Sequence, residues 1–252
     1  MRKTRMTLEF ANQTAVVTGA ARGLGLATAR LLASRGAMVV MVDRDGDAVR
    51  AAAAALSRNG LAAEAVTADI TDQQAVDALA TRVRDAHRGA DVLVNNAGGW
   101  RYAGLHEIRR EDWDWTFDVN LRSVLLTTRA LVPGMIERGG GRIVNVASTD
   151  AYVAKPALMH YAAAKAGVVS LTKSLALELA PRNILVTGVS PGAIATETAK
   201  SQDWLAKRIE SIPLRRAAEP EDIAEVIAFL ASPRNRFVVG ETVVANGGMY
   251  MV

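Results

Sequence analysis

The sequence has 252 residues, half of them hydrophobic, which is enough to build a large buried core. It contains no cysteine, and this excludes a disulfide scaffold and a thiolate zinc site. The formal net charge is +4, from 30 basic and 26 acidic residues. Arg2, Lys3 and Arg5 supply most of that excess and no basic cluster follows them, so we expect no nucleic-acid partner.

Neither a membrane segment nor a metal site is predicted. The apolar runs are too short to span a bilayer, and the N-terminal MRKTRMTLEF lacks the apolar stretch of a signal peptide. The three histidines lack the spacing of metal ligands. We therefore expect a cytoplasmic protein in which residues 1–8 form a disordered lead-in and residues 9–252 form a single domain.

Short apolar runs alternate with helical stretches along the chain. In chain order, the predicted strands are 14–18, 37–42, 62–67, 91–94, 142–146, 184–189 and 242–244. The predicted helices end at Arg35 and near Arg58, begin again at Thr71, and then cover 111–137, 160–180 and 221–231. Pro133 is expected to kink or end the 111–137 helix. This alternation predicts one doubly wound α/β domain around a parallel sheet of about seven strands.

A glycine-rich turn follows the first predicted strand, and it reads Thr18-Gly19-Ala20-Ala21-Arg22-Gly23-Leu24-Gly25. Glycines let the backbone approach a pyrophosphate closely, and the next helix directs free N–H groups at the phosphates. Such a turn by itself also occurs as a plain tight turn. Its place between a strand and a helix, with Asp43 after the second strand, favours dinucleotide binding.

Asp43 lies where a carboxylate would bind the two hydroxyls of the adenosine ribose. A 2′-phosphate would meet its negative charge there, so we expect NAD rather than NADP. The alternative is a solvated turn aspartate. Arg22 and Arg44 argue for NADP, because both lie close enough in sequence to reach a 2′-phosphate.

Polar residues in the second half of the chain indicate acid–base chemistry. Tyr161 and Lys165 are four residues apart and share one helix face, where an ammonium lowers the pKa of a phenol. Ser148 follows the fifth strand, where it either holds a substrate oxygen or merely caps a turn. Asn120 lies within a helix, where it either bends the helix and holds a water or is a satisfied core amide.

Together these residues resemble the short-chain dehydrogenase/reductase family, from about Leu8 to the end of the chain. The catalytic four of the family correspond to Asn120, Ser148, Tyr161 and Lys165. The resemblance also predicts a set of cofactor contacts. They are Gly19, Arg22, Gly23, Leu24, Gly25, Asp43, Arg44, Asp69, Ile70, Asn96, Ala97, Gly98, Tyr161, Lys165, Pro191, Gly192, Ile194 and Thr196.

The resemblance implies a Rossmann-type fold, a mechanism and an assembly. Tyr161 would exchange a proton with the substrate oxygen during hydride transfer, and Ser148 would hydrogen-bond the same oxygen. Lys165 would bind the nicotinamide ribose and lower the Tyr161 pKa, while Asn120 would anchor a water in a proton relay. Family members are usually tetrameric, so we expect a homotetramer acting on a small alcohol or carbonyl compound.

The loops above the nicotinamide are expected to select the substrate. Trp100 and Tyr152 are the predicted substrate contacts beside Ser148 and Tyr161. The stretch 196–212, which contains Trp204, resembles the family's mobile lid. His160 is a further candidate, and Arg101 is a candidate partner for a substrate carboxylate.

Three functions remain open on the sequence. The first is an NAD-linked oxidation of a cyclic or aromatic secondary alcohol or diol. The second is an NADPH-dependent reduction of a 3-oxoacyl thioester of an acyl carrier protein, which Arg22 favours and Asp43 disfavours. The third is a catalytically silent dinucleotide-binding regulator, against which the complete catalytic four argues; a methyltransferase would leave Tyr161 and Lys165 unexplained.

Overall fold

A computed structural model describes residues 8–252 of the chain. Their seven strands form one parallel sheet in the order β3-β2-β1-β4-β5-β6-β7. The strands are β1 (Thr14–Thr18), β2 (Met38–Asp43), β3 (Ala63–Thr67), β4 (Val92–Asn95), β5 (Gly141–Val146), β6 (Ile184–Pro191) and β7 (Thr242–Ala245). Each lies within two residues of its predicted bounds. The predicted lead-in falls outside the described residues except for Leu8, which is exposed.

The described part of the chain contains nine α-helices, six of which pack on the two faces of this sheet. The nine helices are α1 (Gly23–Ser34), α2 (Gly46–Arg58), α3 (Gln73–His87), α4 (Arg110–Phe117), α5 (Ser123–Glu137), α6 (Met159–Leu179), α7 (Glu197–Lys200), α8 (Asp203–Glu210) and α9 (Pro220–Ala231). Among these residues, no helix is both long and apolar enough to cross a bilayer.

Alternate side chains of the strands feed two separate cores. Val17 and Met41 pack on one face with residues of α1, α2 and α9. Val16 and Val40 pack on the other face with residues of α3, α5 and α6. Strands buried on both faces are continuous apolar runs, which is why they could be recognised in the sequence.

The predicted 111–137 helix is interrupted, and the interruption is not at Pro133. A single π turn over Asp118–Arg122 separates α4 from α5, while Pro133 lies inside α5. Such π turns are frequent at functional sites. The prediction that Asn120 bends its helix agrees with this geometry, and the prediction that Pro133 ends the helix is wrong.

Candidate active site

One cavity of about 1270 Å³ runs along the carboxyl ends of the strands. All predicted cofactor contacts line it: Gly19, Arg22, Gly23, Leu24, Gly25, Asp43, Arg44, Asp69, Ile70, Asn96, Ala97, Gly98, Tyr161, Lys165, Pro191, Gly192, Ile194 and Thr196. The glycine-rich turn lies at one end of this set, and Ser148, Tyr161 and Lys165 lie at the other. This is where a doubly wound sheet places its ligands.

The turn after β1 needs glycine at two positions for different reasons. Gly19 has φ +64°, and a Cβ there would approach the Cα of Ala97 to 2.9 Å. A Cβ on Gly25 would lie 2.0 Å from the carbonyl oxygen of Gly19. The N-cap residue of α1, Arg22, makes no side-chain cap, so the N–H groups of the first turn, which lines the cavity, are available to donate to an anion.

The carboxylate of Asp43 is fixed beside this turn. Its two oxygens accept hydrogen bonds from the backbone N–H groups of Ala21 and Asp45, each at 3.1 Å. Arg22 and Arg44 are exposed. An anion-binding helix end, a fixed carboxylate and a cavity leading to Tyr161 fit an extended dinucleotide.

Two predicted cofactor contacts also brace the local backbone. The Asn96 amide donates to the carbonyl oxygens of Thr18 and Gly19, at 2.8 and 3.2 Å. The Asp69 carboxylate accepts from the N–H and hydroxyl of Thr71, at 2.9 and 2.7 Å. Their side chains therefore shape the turns, and a ligand would meet mainly the backbone beside them.

Ser148 and Lys165 lie on either side of Tyr161. The Ser148 Oγ accepts from the Asp150 N–H at 3.1 Å, so this serine does cap a turn while lining the cavity. The buried Lys165 Nζ donates to the Val146 carbonyl oxygen at 2.8 Å. It lies 5.9 Å from the centre of the Tyr161 ring.

Burial governs the proton affinities of both helix residues. Burial raises the pKa of Tyr161 far above its usual value; a hydrogen bond with Ser148 lowers this pKa and the charge of Asp150 raises it. Burial also lowers the pKa of Lys165 to about 8. The net pKa of Tyr161 therefore lies above that of a free phenol in the protein without cofactor, because desolvation of the phenolate dominates. Tyr161 is protonated at neutral pH.

Asn120 does not line the cavity; it anchors the loop that follows β4. It is fully buried, and its amide donates to the carbonyl oxygens of Gly99 and Thr116, at 2.7 and 2.9 Å. Its Oδ1 accepts from the Gly99 N–H at 3.2 Å. The side chain is thus a satisfied core amide. The water of the expected proton relay would have to be held by another group.

The same loop is clamped onto α4 beyond Asn120. Arg101 donates to Asp112 at 2.6 Å, and its guanidinium lies 4.3 Å from the centre of the Trp115 ring. Arg109 donates to the other Asp112 oxygen at 2.7 Å. These contacts hold Trp100, whose ring centre lies 6.0 Å from that of Tyr161 in an edge-on arrangement.

Three other substrate predictions fail on geometry. Tyr152 packs with the apolar cluster around Val124 and Val168, away from the cavity. His160 is fully buried outside the cavity lining. Arg101 is committed to Asp112 and does not line the cavity. Each residue follows a strand or begins a helix near the site, but its side chain turns away from it.

A buried polar chain between strands was missed in the sequence. Asn95 and Asn145 are register partners on β4 and β5, and the Asn95 amide donates to the Asn145 oxygen at 2.9 Å. Asn145 in turn donates to the Thr172 hydroxyl on α6 at 2.9 Å. The chain ties α6, which carries Tyr161, to the sheet. The signal available in the sequence was an asparagine near the end of each of two adjacent buried strands.

The lid region forms two short helices, α7 and α8, which line the cavity together with Trp204. The Thr196 hydroxyl caps α7 by accepting from the Ala199 N–H at 3.2 Å. Within residues 8–252, no group of three or more histidine or acidic side chains is placed to hold a metal ion.

Comparisons with known proteins agree with this geometry. A family model described as enoyl-(acyl carrier protein) reductase matches residues 19–250. The 3-oxoacyl-[acyl-carrier-protein] reductase FabG of Vibrio cholerae is 37% identical over 249 residues, which are 98% of this chain and 100% of that protein. Human dehydrogenase/reductase SDR family member 4 is 38% identical over 245 residues, covering 95% of this chain and 88% of that protein.

Solved structures show the same likeness. A crystal structure from Burkholderia xenovorans, of a protein assigned to the short-chain dehydrogenases/reductases, has a TM-score of 0.91 at 33% identity. The match covers 96% of this chain and 97% of that one. The chain therefore belongs to the short-chain dehydrogenase/reductase family, whose members bind NAD(P) and act as oxidoreductases on CH–OH groups.

Proposed function

We propose that this enzyme is an NAD-linked dehydrogenase that interconverts a cyclic or aromatic secondary alcohol, or diol, and its ketone. The observation that carries the proposal is one cavity with Asp43 beside the glycine-rich turn at one end and Ser148, Tyr161 and Lys165 at the other.

Tyr161 is the proposed general acid and base. It gives a proton to the carbonyl oxygen in reduction and takes it from the alcohol in oxidation, while Ser148 hydrogen-bonds the same oxygen. The bound nicotinamide supplies or accepts the hydride. Lys165, with its pKa near 8, is mostly protonated at neutral pH, and its charge favours the phenolate that forms as Tyr161 gives up its proton.

The preference for NAD rests on the fixed position of Asp43. Because two backbone N–H groups hold its carboxylate, a 2′-phosphate could not displace it without breaking both hydrogen bonds. Solvent and salt screen much of the attraction between an exposed arginine and a 2′-phosphate. The charge repulsion therefore outweighs the attraction of Arg22 and Arg44.

The substrate proposal rests on the walls around Tyr161. Trp100 and Trp204 both line the cavity, and the Trp100 ring stands edge-on to Tyr161. Flat aromatic walls suit a ring-shaped substrate. The second candidate is NADPH-dependent reduction of a 3-oxoacyl thioester, which the names of several relatives favour. The complete set of Ser148, Tyr161 and Lys165 leaves a silent regulator without support.

We also propose a homotetramer, as the family resemblance implied. Trp113 on α4, Leu125 on α5 and Leu177 on α6 are exposed apolar side chains, and contact with another copy would remove them from water. Sedimentation of the purified protein tests this, and a monomer at micromolar concentration would refute it.

The first experiment is a fluorescence titration of the purified enzyme with NADH and with NADPH, followed by NAD-linked oxidation of cyclic and aromatic secondary alcohols. Tighter binding of NADH together with turnover of these alcohols is expected. Tighter binding of NADPH, with turnover only of 3-oxoacyl thioesters, would establish the second candidate instead.

A further inference from the structure

Two cations share one carboxylate beside the reacting end of the cavity. Asp150 lies 3.1 Å from the Lys155 Nζ and 3.7 Å from an Arg208 nitrogen. The side chains of Asp150, Lys155 and Arg208 are only 14%, 18% and 26% exposed, and all three residues line the cavity. We name these three residues the Asp150 cluster.

The cluster adjoins the groups that would hold the reacting oxygen. Asp150 donates its backbone N–H to the Ser148 Oγ at 3.1 Å. Burial is the main cause of the raised pKa of Tyr161, and the charge of Asp150 adds to it. A substrate whose oxygen lies between Ser148 and Tyr161 would therefore extend toward Lys155 and Arg208.

The charges here do not balance. Lys207 lines the same cavity, and within residues 8–252 no carboxylate lies within 4.0 Å of it. Lys155 and Arg208, both partly buried, thus share the single carboxylate of Asp150, whereas Lys207 is exposed. Lys200, by contrast, has both Glu197 and Glu219 nearby.

A stabilising interaction with a helix dipole explains the positions of only some of these cations. Lys207 and Arg208 lie in the last turn of α8, where cations stabilise the helix dipole. Lys155 lies in the loop before α6 and not on a helix, and it is mostly buried. Burying a lysine and an arginine around one carboxylate is costly unless a second anion completes the charge balance.

We propose that the substrate carries a carboxylate, which Lys155 and Arg208 bind while Ser148 and Tyr161 hold the reacting oxygen. The inference rests on the proposed function and narrows its substrate to a hydroxy acid or oxo acid. The planar guanidinium of Arg208 can bind a carboxylate in bidentate fashion, and partial burial strengthens the pairing. The substrate carboxylate takes no part in the hydride or proton transfer.

The test compares matched substrates with saturating NAD. One pair is 3-hydroxycyclohexanecarboxylate and its carboxamide, which differ only in charge at the distal group. We expect kcat/KM to favour the acid by at least tenfold. Arg208→Gln and Lys155→Gln should each remove most of this preference through KM for the acid. Lys173→Gln, an exposed cation of α6 outside the cavity, is the matched control and should keep the preference.

Three outcomes would overturn the inference. The first is equal kcat/KM for acid and amide, and the second is an acid preference that survives both substitutions. The third is a preference only for thioesters that carry the phosphate of a pantetheine arm over phosphate-free thioesters, which would assign the cluster to a carrier phosphate. Turnover of the amide without preference for the acid refutes this inference alone, whereas failure to oxidise any cyclic or aromatic alcohol refutes the proposed function.

Discussion

Asn120 and Gly99 exchange two hydrogen bonds, one from the Asn120 amide to the Gly99 carbonyl at 2.7 Å and one from the Gly99 N–H to the Asn120 Oδ1 at 3.2 Å. This reciprocal pair joins the π turn between α4 and α5 to the loop that carries Trp100. The side-chain amide of Asn120 is therefore already occupied by protein partners. Asn120 is a positioning residue for the wall of the cavity.

We predict that Asp112→Asn loosens this wall. Arg109 and Arg101 hold the pKa of Asp112 well below its usual range, so the clamp remains charged throughout the pH range of activity. Without the charge, Arg101 releases Trp100, and KM for the alcohol should rise several-fold while the Kd for NADH stays constant. Asp114→Asn, which removes only an exposed i,i+4 pair on the same helix, is the control and should change neither value.

We predict that Tyr161→Phe abolishes turnover and spares cofactor binding. Loss of a positioned acid–base group costs about 10²- to 10⁴-fold in kcat. Steady-state kinetics and an NADH titration measure the two effects separately. Tyr102→Phe removes a phenol from the lining of the same cavity and should retain activity. A Tyr161→Phe enzyme with the wild-type rate would contradict the mechanism.

We predict that Asp43→Asn weakens the preference for NAD by at least tenfold. Asparagine keeps an oxygen for only one of the two N–H groups of Ala21 and Asp45, so the substitution removes the negative charge together with one hydrogen bond of the turn. The ratio of kcat/KM for NAD and NADP is the measurement. Asp47→Asn is matched in charge and is exposed on α2. An unchanged ratio in Asp43→Asn would show that this carboxylate does not discriminate against the 2′-phosphate.

We predict that Gly25→Ala destroys cofactor binding and lowers the melting temperature. The new Cβ would lie 2.0 Å from the Gly19 carbonyl oxygen, so the turn must open. Gly134→Ala is the control, because its Cβ would lie 3.6 Å from the nearest atom, the Gly89 Cα, inside α5. Since alanine is favoured over glycine in helices by about 0.5–1 kcal/mol, this control should be neutral or slightly stabilising.

We predict that Lys165 makes the cofactor-free protein more stable as the pH rises above 8. Burial lowers its pKa to about 8, so between that pH and the ordinary lysine pKa near ~10.4 the unfolded chain binds more protons than the folded one. The free energy of unfolding should therefore rise with pH in this window, by at most about 3 kcal/mol relative to Lys165→Met. Denaturant unfolding at pH 7.5 and 9.5 measures the difference. Lys173→Met should follow the wild-type slope.

The sheet and the reacting residues could be predicted because their signals are local. The apolar β-branched runs identify strands buried on both faces, and the four-residue spacing places Tyr161 and Lys165 on one helix face. The directions of loop side chains could not be predicted. Arg101 and Tyr152 both follow strands near the site, yet Asp112 binds the first, and the cluster around Val168 buries the second. Both partners are distant contacts that no local pattern encodes.

The two sides of the substrate region are built from different kinds of contact. The side that carries Trp100 is held by backbone hydrogen bonds to Asn120 and by a buried aspartate, whereas the lid side combines a small apolar cluster around Leu205 with ion pairs of partly exposed side chains. Mutations in 98–101 therefore endanger the shape of the enzyme, and mutations of the exposed residues within 197–211 mainly alter which substrates it accepts. A directed-evolution library aimed at new alcohols should be confined to the lid.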